Sequence, residues 1–181
     1  MTPKKFSFWY FSGALPPRGE DFQSPGAIFT IVNDGLAKVV ADRSSEGPGE
    51  ANDVLNRRLN KGVNCGTKED RGSWWRVDLG ENYLLFPTHY SLRHGKKEGD
   101  SILRHWKLQG SIDGKDWKDI DTHRRKGELT EPLPYATDTW SVQGEVGAFR
   151  YFKIVQTGRH SSNGYGIYLS GMEFYGVLLK V

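Results

Sequence analysis

The run WWRVDLG at 74–80, followed by SLRH at 91–94 and LRHWKLQGSIDGKDWKDI at 103–120, constrains the fold of this chain more than any other stretch. Trp75, Val77 and Leu79 alternate with Trp74, Arg76 and Asp78, a period of two that belongs to a strand with two different faces. Gly80, Glu81 and Asn82 then reverse the chain. Pro87, inside the next β-rich run, has no N–H for a ladder and is expected at an edge, a bulge or a strand start. Trp106, Lys107, Leu108 and Gln109 alternate again, and Asp113-Gly114 supplies the turn chemistry of a hairpin whose second strand starts at Trp117. These segments read as successive antiparallel strands.

The flanking chain reads in the same terms. Residues 6–11, FSFWYF, form a first strand, residues 12–26 with Leu15-Pro16-Pro17 a loop, and residues 27–32 a second strand closed by the turn Asn33-Asp34-Gly35. Residues 42–72 are too long for a plain loop in a compact domain. A short helix is expected there, with Asn52 as N-cap, Val54, Leu55 and Leu59 on one stripe, and Gly62 at its end. After a polar loop with Pro132 and Pro134, strands follow at 139–142 and 149–156, then a loop at 157–167 and a last strand at 168–177. Many short strands and one short helix in a long loop predict an all-β fold, an antiparallel β-sandwich, as a single domain over residues 1–181. If the later strands are antiparallel, loops 42–72, 93–104, 123–138 and 157–167 share one end and turns 80–82 and 113–116 the other. The long-loop end is then the binding end.

Composition narrows the classes. The formal charge of +3, with acidic and basic residues interspersed, does not describe a nucleic-acid binder. Six Trp, eight Tyr and nine Phe predict a core of large rings. Cys65 stands alone, which precludes an intramolecular disulfide and favours a reducing, intracellular compartment, cytoplasmic or nuclear. No run is long enough to cross a bilayer, and the aromatic start lacks a signal-peptide cleavage site. A monomeric domain within a larger protein is expected.

Candidate chemistry is sparse. His94, His105, His123 and His160 fall in or beside the long-loop end, yet none shows HxH or HExxH spacing, so no metal and no cofactor are expected. There is no GxSxG or P-loop, Asp78 and Asp113 are not a facing pair, and Cys65 reads as a small buried hydrophobe rather than a nucleophile. No catalytic residue is expected. Arg93 and Arg104 bracket the loop HGKKEGDSIL and carry two readings. Their planar forks suit a carboxylate, a phosphate or sugar hydroxyls; alternatively they tie loop carbonyls or pair with Glu98, Asp100 or Glu173. Around them the topology would gather Ser44, Ser45, Asn64, His94 and Tyr168, with turn capping as the alternative for the two serines. Trp74, Trp75, Trp106 and Trp117 read as core or sheet-face packing, because they lie in strands rather than at loop tips; Trp9 and Trp140 stay open.

The four runs WWRVDLG, LRHWKLQGSIDGKDWKDI, FRYFKIVQTG and LSGMEFYGV, in this order, resemble the galactose-binding-like or discoidin (coagulation-factor type C) β-sandwich. SSEG at 44–47, LNKGVNCGT at 59–67 and SLRHG at 91–95 are similar to the variant found inside a large HECT-type ubiquitin ligase and in some BTB-domain proteins. The resemblance spans residues 26–177, and the N-terminal strand and loop over 1–25 have no counterpart. It implies a jelly-roll sandwich whose members bind glycans, phospholipids, peptides or proteins. The expected function is a non-catalytic module of a ubiquitin-ligase-type protein. It would bind a peptide or protein through Ser44, Ser45, Asn64, Arg93, His94, Arg104 and Tyr168, without membrane insertion. A carbohydrate-binding module of the same fold is the alternative.

Overall fold

The alternation at 74–80 is realised as drawn: Trp75 and Val77 are fully buried while Trp74, Arg76 and Asp78 are half-buried. The computed structural model describes the backbone of residues 7–11, residue 22, and residues 24–59, 64–124 and 133–181. The elements are β1 (Ser7–Phe11), α1 (Ala27–Asn33), β2 (Val40–Arg43), a 3-10 helix (Ala51–Leu55), β3 (Trp74–Asp78), β4 (Tyr83–His94), β5 (His105–Ser111), β6 (Lys118–Arg124), β7 (Thr137–Ser141), β8 (Tyr151–Gln156) and β9 (Leu169–Lys180). They form a 4-stranded sheet in the order β1-β9-β4-β7 and a 5-stranded sheet in the order β2-β3-β8-β5-β6. All strand pairs are antiparallel. The fold is therefore a β-sandwich, as expected.

The sheets meet through large rings. Phe152 of β8 stacks on Phe174 of β9 with centroids 4.4 Å apart, and Trp106 of β5 meets Trp140 of β7 edge-on at 5.3 Å. Tyr83, Leu85, Tyr90 and Leu92 of β4 and Leu108 and Ile154 of the opposite sheet complete this interior without exposure to solvent above 1%. Burial of such rings is the main favourable contribution to folding.

Three expectations change. β3 and β4, read as neighbouring strands, lie in different sheets, so the turn at 80–82 crosses the sandwich instead of closing a hairpin. The segment at 27–32 is a helix, not a strand. Its β-branched residues favour a strand locally, but Ala27, Ile28 and Ile31 fall on one helical face and are buried. Its N-terminus is satisfied from a distant strand: Ile28 N and Phe29 N donate to the Glu173 carboxylate of β9 at 2.9 and 3.0 Å. The helix of the 42–72 loop is a 3-10 turn whose N-cap is Glu50, in a capping box with Asp53. Asn52, expected as the cap, instead accepts Ala41 N at 2.9 Å. Gly62, residues 12–21 and residues 125–132 lie outside the described residues.

Pro87 sits at a bulge between β4 and β9, where the register shifts between Pro87 and His89. Across from it Gly176 has φ 149°, and a Cβ there would stand 1.9 Å from the Phe86 carbonyl oxygen, so no other residue fits.

The two ends differ. At one, Arg150 clasps Asp78 at 2.6 and 2.7 Å and its N–H donates to the Ser111 carbonyl, linking the flanks of both tight turns. At the other, the long loops bond to one another. Cys65 N donates to Gly95 O, Gly95 N to Tyr168 O, Thr67 N to Ile167 O, Tyr135 N to Lys96 O and Ser161 N to Ile102 O. No helix among the described residues is long and apolar enough to cross a membrane.

Candidate functional site

Glu69 organises the long-loop end. Its carboxylate accepts Tyr165 N at 2.7 Å, Gly166 N at 3.1 Å, the Tyr168 hydroxyl at 2.8 Å and His160 Nε2 at 3.0 Å. Ser162 N donates to His160 Nδ1 at 3.1 Å, so the ring hydrogen is on Nε2, facing Glu69. Partial burial alone would raise the Glu69 pKa, but the bonds from Tyr168, Gly166, His160 and Tyr165 outweigh it and hold the group at about 2. Burial and the Glu69 carboxylate push the Tyr168 phenol up to about 12. The carboxylate reaches in because the opposing loop has no side chain at Gly164, where a Cβ would lie 2.0 Å from Glu69 Oε2.

The loop at 95–104 is fastened to the same structure. Ser101 N and Ile102 N donate to Ser162 Oγ and Ser161 Oγ at 2.9 and 2.8 Å. Lys96 pairs with Asp100 at 2.8 Å and lies 4.7 Å above the Tyr168 ring. Such a lattice of bonds fixes the loops relative to one another.

The residues singled out from the sequence separate into surface and support. Asn64 accepts Lys97 N at 3.2 Å, and Tyr168 contacts Lys96, so these two share the surface of the 95–104 loop. Arg104 is exposed and has no carboxylate partner among the described residues. Ser44 Oγ accepts Trp74 N and Ser45 Oγ accepts Lys68 N, both at 3.1 Å, so the two serines tie segments 30 and 23 residues away rather than cap a local turn. Arg93 is 5% exposed. It donates to Arg57 O at 2.9 Å, Asn56 O and Ser170 O at 2.7 Å and Ser170 Oγ at 3.2 Å, and it lies over the Phe22 ring. That is the carbonyl-tying reading of the two held open for it; no contact with Glu98, Asp100 or Glu173 is involved. Burial lowers its pKa to about 10. His94 is fully buried, and burial lowers its pKa to about 4, so the ring is neutral at physiological pH.

Trp74, Trp75, Trp106, Trp117 and Cys65 fall where they were expected. Trp75 and Trp106 are core; Trp74 and Trp117 carry Arg76 and Lys153 over their rings on the sheet faces. Trp140 is 8% exposed. Cys65 is buried, donates to Glu50 O, and has its thiol pushed up to about 12 by burial. No group of three or more His, Cys, Asp or Glu among the described residues could hold a metal ion.

Sequence reasoning passed over Glu69, Arg71, Arg159 and Tyr165. Tyr165 is flanked by Arg71 and Arg159, whose Cζ atoms lie 5.0 and 5.1 Å from its ring centre. The only local signal was SSNGYG at 161–166, a turn-rich segment that presents one aromatic residue. Chemically, this end offers guanidinium, phenol, amide and hydroxyl groups that can hydrogen-bond to a polar ligand.

Comparison with known proteins agrees with this architecture. The family described as F5/8 type C domain matches residues 40–170. The E3 ubiquitin-protein ligases hecd-1 of Caenorhabditis elegans and Ufd4 of Drosophila melanogaster are 38% and 35% identical over 178 residues, covering 89% of this chain and 6% of each ligase. A BTB/POZ domain-containing protein of Arabidopsis thaliana is 32% identical over 58% of the chain and 13% of its own length. Among solved structures, CpGH89CBM32-5 of Clostridium perfringens, in complex with GalNAc-beta-1,3-galactose, covers 76% of this chain and 95% of its own at TM-score 0.59 and 14% identity. The lectin domain of lectinolysin, complexed with Lewis B antigen, has TM-score 0.59 at 14% identity over 77% of this chain and 94% of its own.

Proposed function

The chain belongs to the F5/8 type C domain family, and from that premise we propose that it is a non-catalytic recognition module that binds a peptide or protein through its long-loop end. The observation that supports this reading is the contrast between a braced scaffold and a free rim. The long loops are bonded to one another around Glu69, while Arg71, Arg104 and Arg159 are exposed there without carboxylate partners among the described residues. Exposed guanidinium groups on a preorganised frame are suited to directional hydrogen bonding with a partner. The likeness to hecd-1 and Ufd4 supports a place in an intracellular ubiquitin-ligase-type protein, in which this module would contact substrate or partner rather than carry out transfer. Of the residues singled out from the sequence, Asn64, Arg104 and Tyr168 belong to the proposed contact surface, with Ser44, Ser45, Arg93 and His94 holding its loops.

Carbohydrate binding is the second reading, favoured by the glycan complexes of the structural neighbours. A sugar platform needs an open aromatic face, and here Tyr165 has two guanidinium groups beside it and Tyr168 an ammonium. Titration of the isotope-labelled domain with peptide pools and an oligosaccharide panel, followed by backbone amide shifts, separates the readings. Shifts at 64–72, 95–104 and 157–168 with peptides are expected. Shifts confined to the turns at 80–82 and 113–116 would overturn the loop-end assignment, and shifts at the loops with oligosaccharides alone would favour the second reading.

A further inference from the structure

Arg71 and Arg159 come from different loops and converge on one half-buried ring, Tyr165. Both arginines are exposed, and neither pairs with a carboxylate among the described residues. Of the neighbouring acids, Glu69 accepts the Tyr165 and Gly166 amides, Tyr168 and His160, Asp100 holds Lys96, and Glu98 holds Lys97. Two like charges beside one ring repel each other, and the ring's negative faces offset only part of that repulsion. An anion seated between the guanidinium groups would offset the rest. Among the described residues, Arg159 finds a hydrogen-bond acceptor only for Nη1, Asn163 O at 2.6 Å.

We propose that Arg71, Tyr165 and Arg159 form a clamp for a side-chain carboxylate of an acidic peptide, an assignment that rests on the reading of the long-loop end as the binding end. The ring is positioned in advance, because its own amide is bonded to Glu69 Oε2 at 2.7 Å. Local charge favours a carboxylate over a phosphate. Glu69, held ionised by the bonds it accepts from Tyr165 and Gly166 N–H, offsets one of the two guanidinium charges, and the single positive charge that remains matches a carboxylate better than the nearly double negative charge of a phosphate.

The test uses the whole chain and three fluorescent, end-blocked peptides: hexaglutamate, hexaserine and hexalysine. Hexaglutamate should bind, should shift the Tyr165 amide and the Nε resonances of Arg71 and Arg159, and should weaken as salt is raised. The double variant Arg71→Gln, Arg159→Gln should bind at least about tenfold more weakly, at an unchanged melting temperature. Replacing both by Lys keeps the charge, removes the forks, and should restore binding only in part. Wild-type affinity in the Gln variant, full restoration by Lys, or displacement of the peptide by inorganic phosphate at equal concentration would overturn the clamp. If hexaserine, hexalysine or an oligosaccharide moves the loop-end resonances and hexaglutamate does not, the clamp falls and the loop-end reading stands; if no probe moves them, both fall.

Discussion

The Glu69 carboxylate accepts the Tyr168 hydroxyl at 2.8 Å across 99 residues of chain, and this one bond joins the loop before β3 to the start of β9. The same carboxylate holds the Tyr165 and Gly166 amides. The frame of the long-loop end therefore depends on its charge.

The Glu69 pKa is lowered from its ordinary 4.5 to about 2. A carboxylate depressed on folding contributes stability that is present above its unfolded pKa and is lost as pH falls through the folded one. The loop should therefore hold down to pH values below 4.5 and loosen toward pH 2, with the Tyr165 and Gly166 amide shifts titrating near the lower value. Glu69→Gln should abolish that titration and weaken the loop at neutral pH. A midpoint at the ordinary glutamate value would mean that the carboxylate is not held as described.

Arg93 and Arg104 should part company. Arg93→Lys leaves carbonyls of Asn56, Arg57 and Ser170 short of donors. At roughly 1 to 3 kcal/mol for each buried group left unpaired, the variant should lose about 2 to 4 kcal/mol in denaturant unfolding. Arg104→Lys, at an exposed position, should change stability by less than about 0.5 kcal/mol. Equal stability losses would contradict the burial difference between them.

Trp106 is fully buried and stacks on His123 with centroids 4.1 Å apart. Trp106→Ala should cost about 3 to 5 kcal/mol, a large share of a small domain's stability. Retention of the wild-type melting temperature would place the ring outside the core.

Glu173 gives a pH dependence of the opposite sign. Burial pushes its pKa up from 4.5 to about 7, although the amides of Phe174, Ile28 and Phe29 donate to it. Between those values the folded protein binds more protons than the unfolded chain, so its contribution to stability falls as pH rises from 4.5 to 7. The wild-type profile should show that decline relative to Glu173→Gln, which cannot titrate. The variant should also be less stable overall, because an amide cannot accept at both of the atoms that face Ile28 N and Phe29 N. Parallel profiles would remove Glu173 as the titrating group.

The strands of the sandwich and the tight turn at Asp113-Gly114 were legible in the sequence because period-two alternation and turn chemistry are properties of neighbouring residues. Pro87 announced its bulge for the same reason: a missing N–H is a local fact. The order of loops along the chain, with antiparallel pairing, was enough to gather the long ones at one end. Tertiary structure decided what depends on groups far away in sequence. Residues 27–33 fold as a helix because Glu173, 145 residues from Ile28, supplies its cap. Arg93 turns inward because the carbonyls of Asn56, Arg57 and Ser170 converge on it, and a guanidinium reads the same in sequence whether it meets a ligand or a loop. Arg71, Tyr165 and Arg159 form a cluster only because Glu69 pulls two loops together. Local periodicity determines which segments become strands, while long-range hydrogen bonding determines which polar side chains are used to hold the fold and which are left exposed.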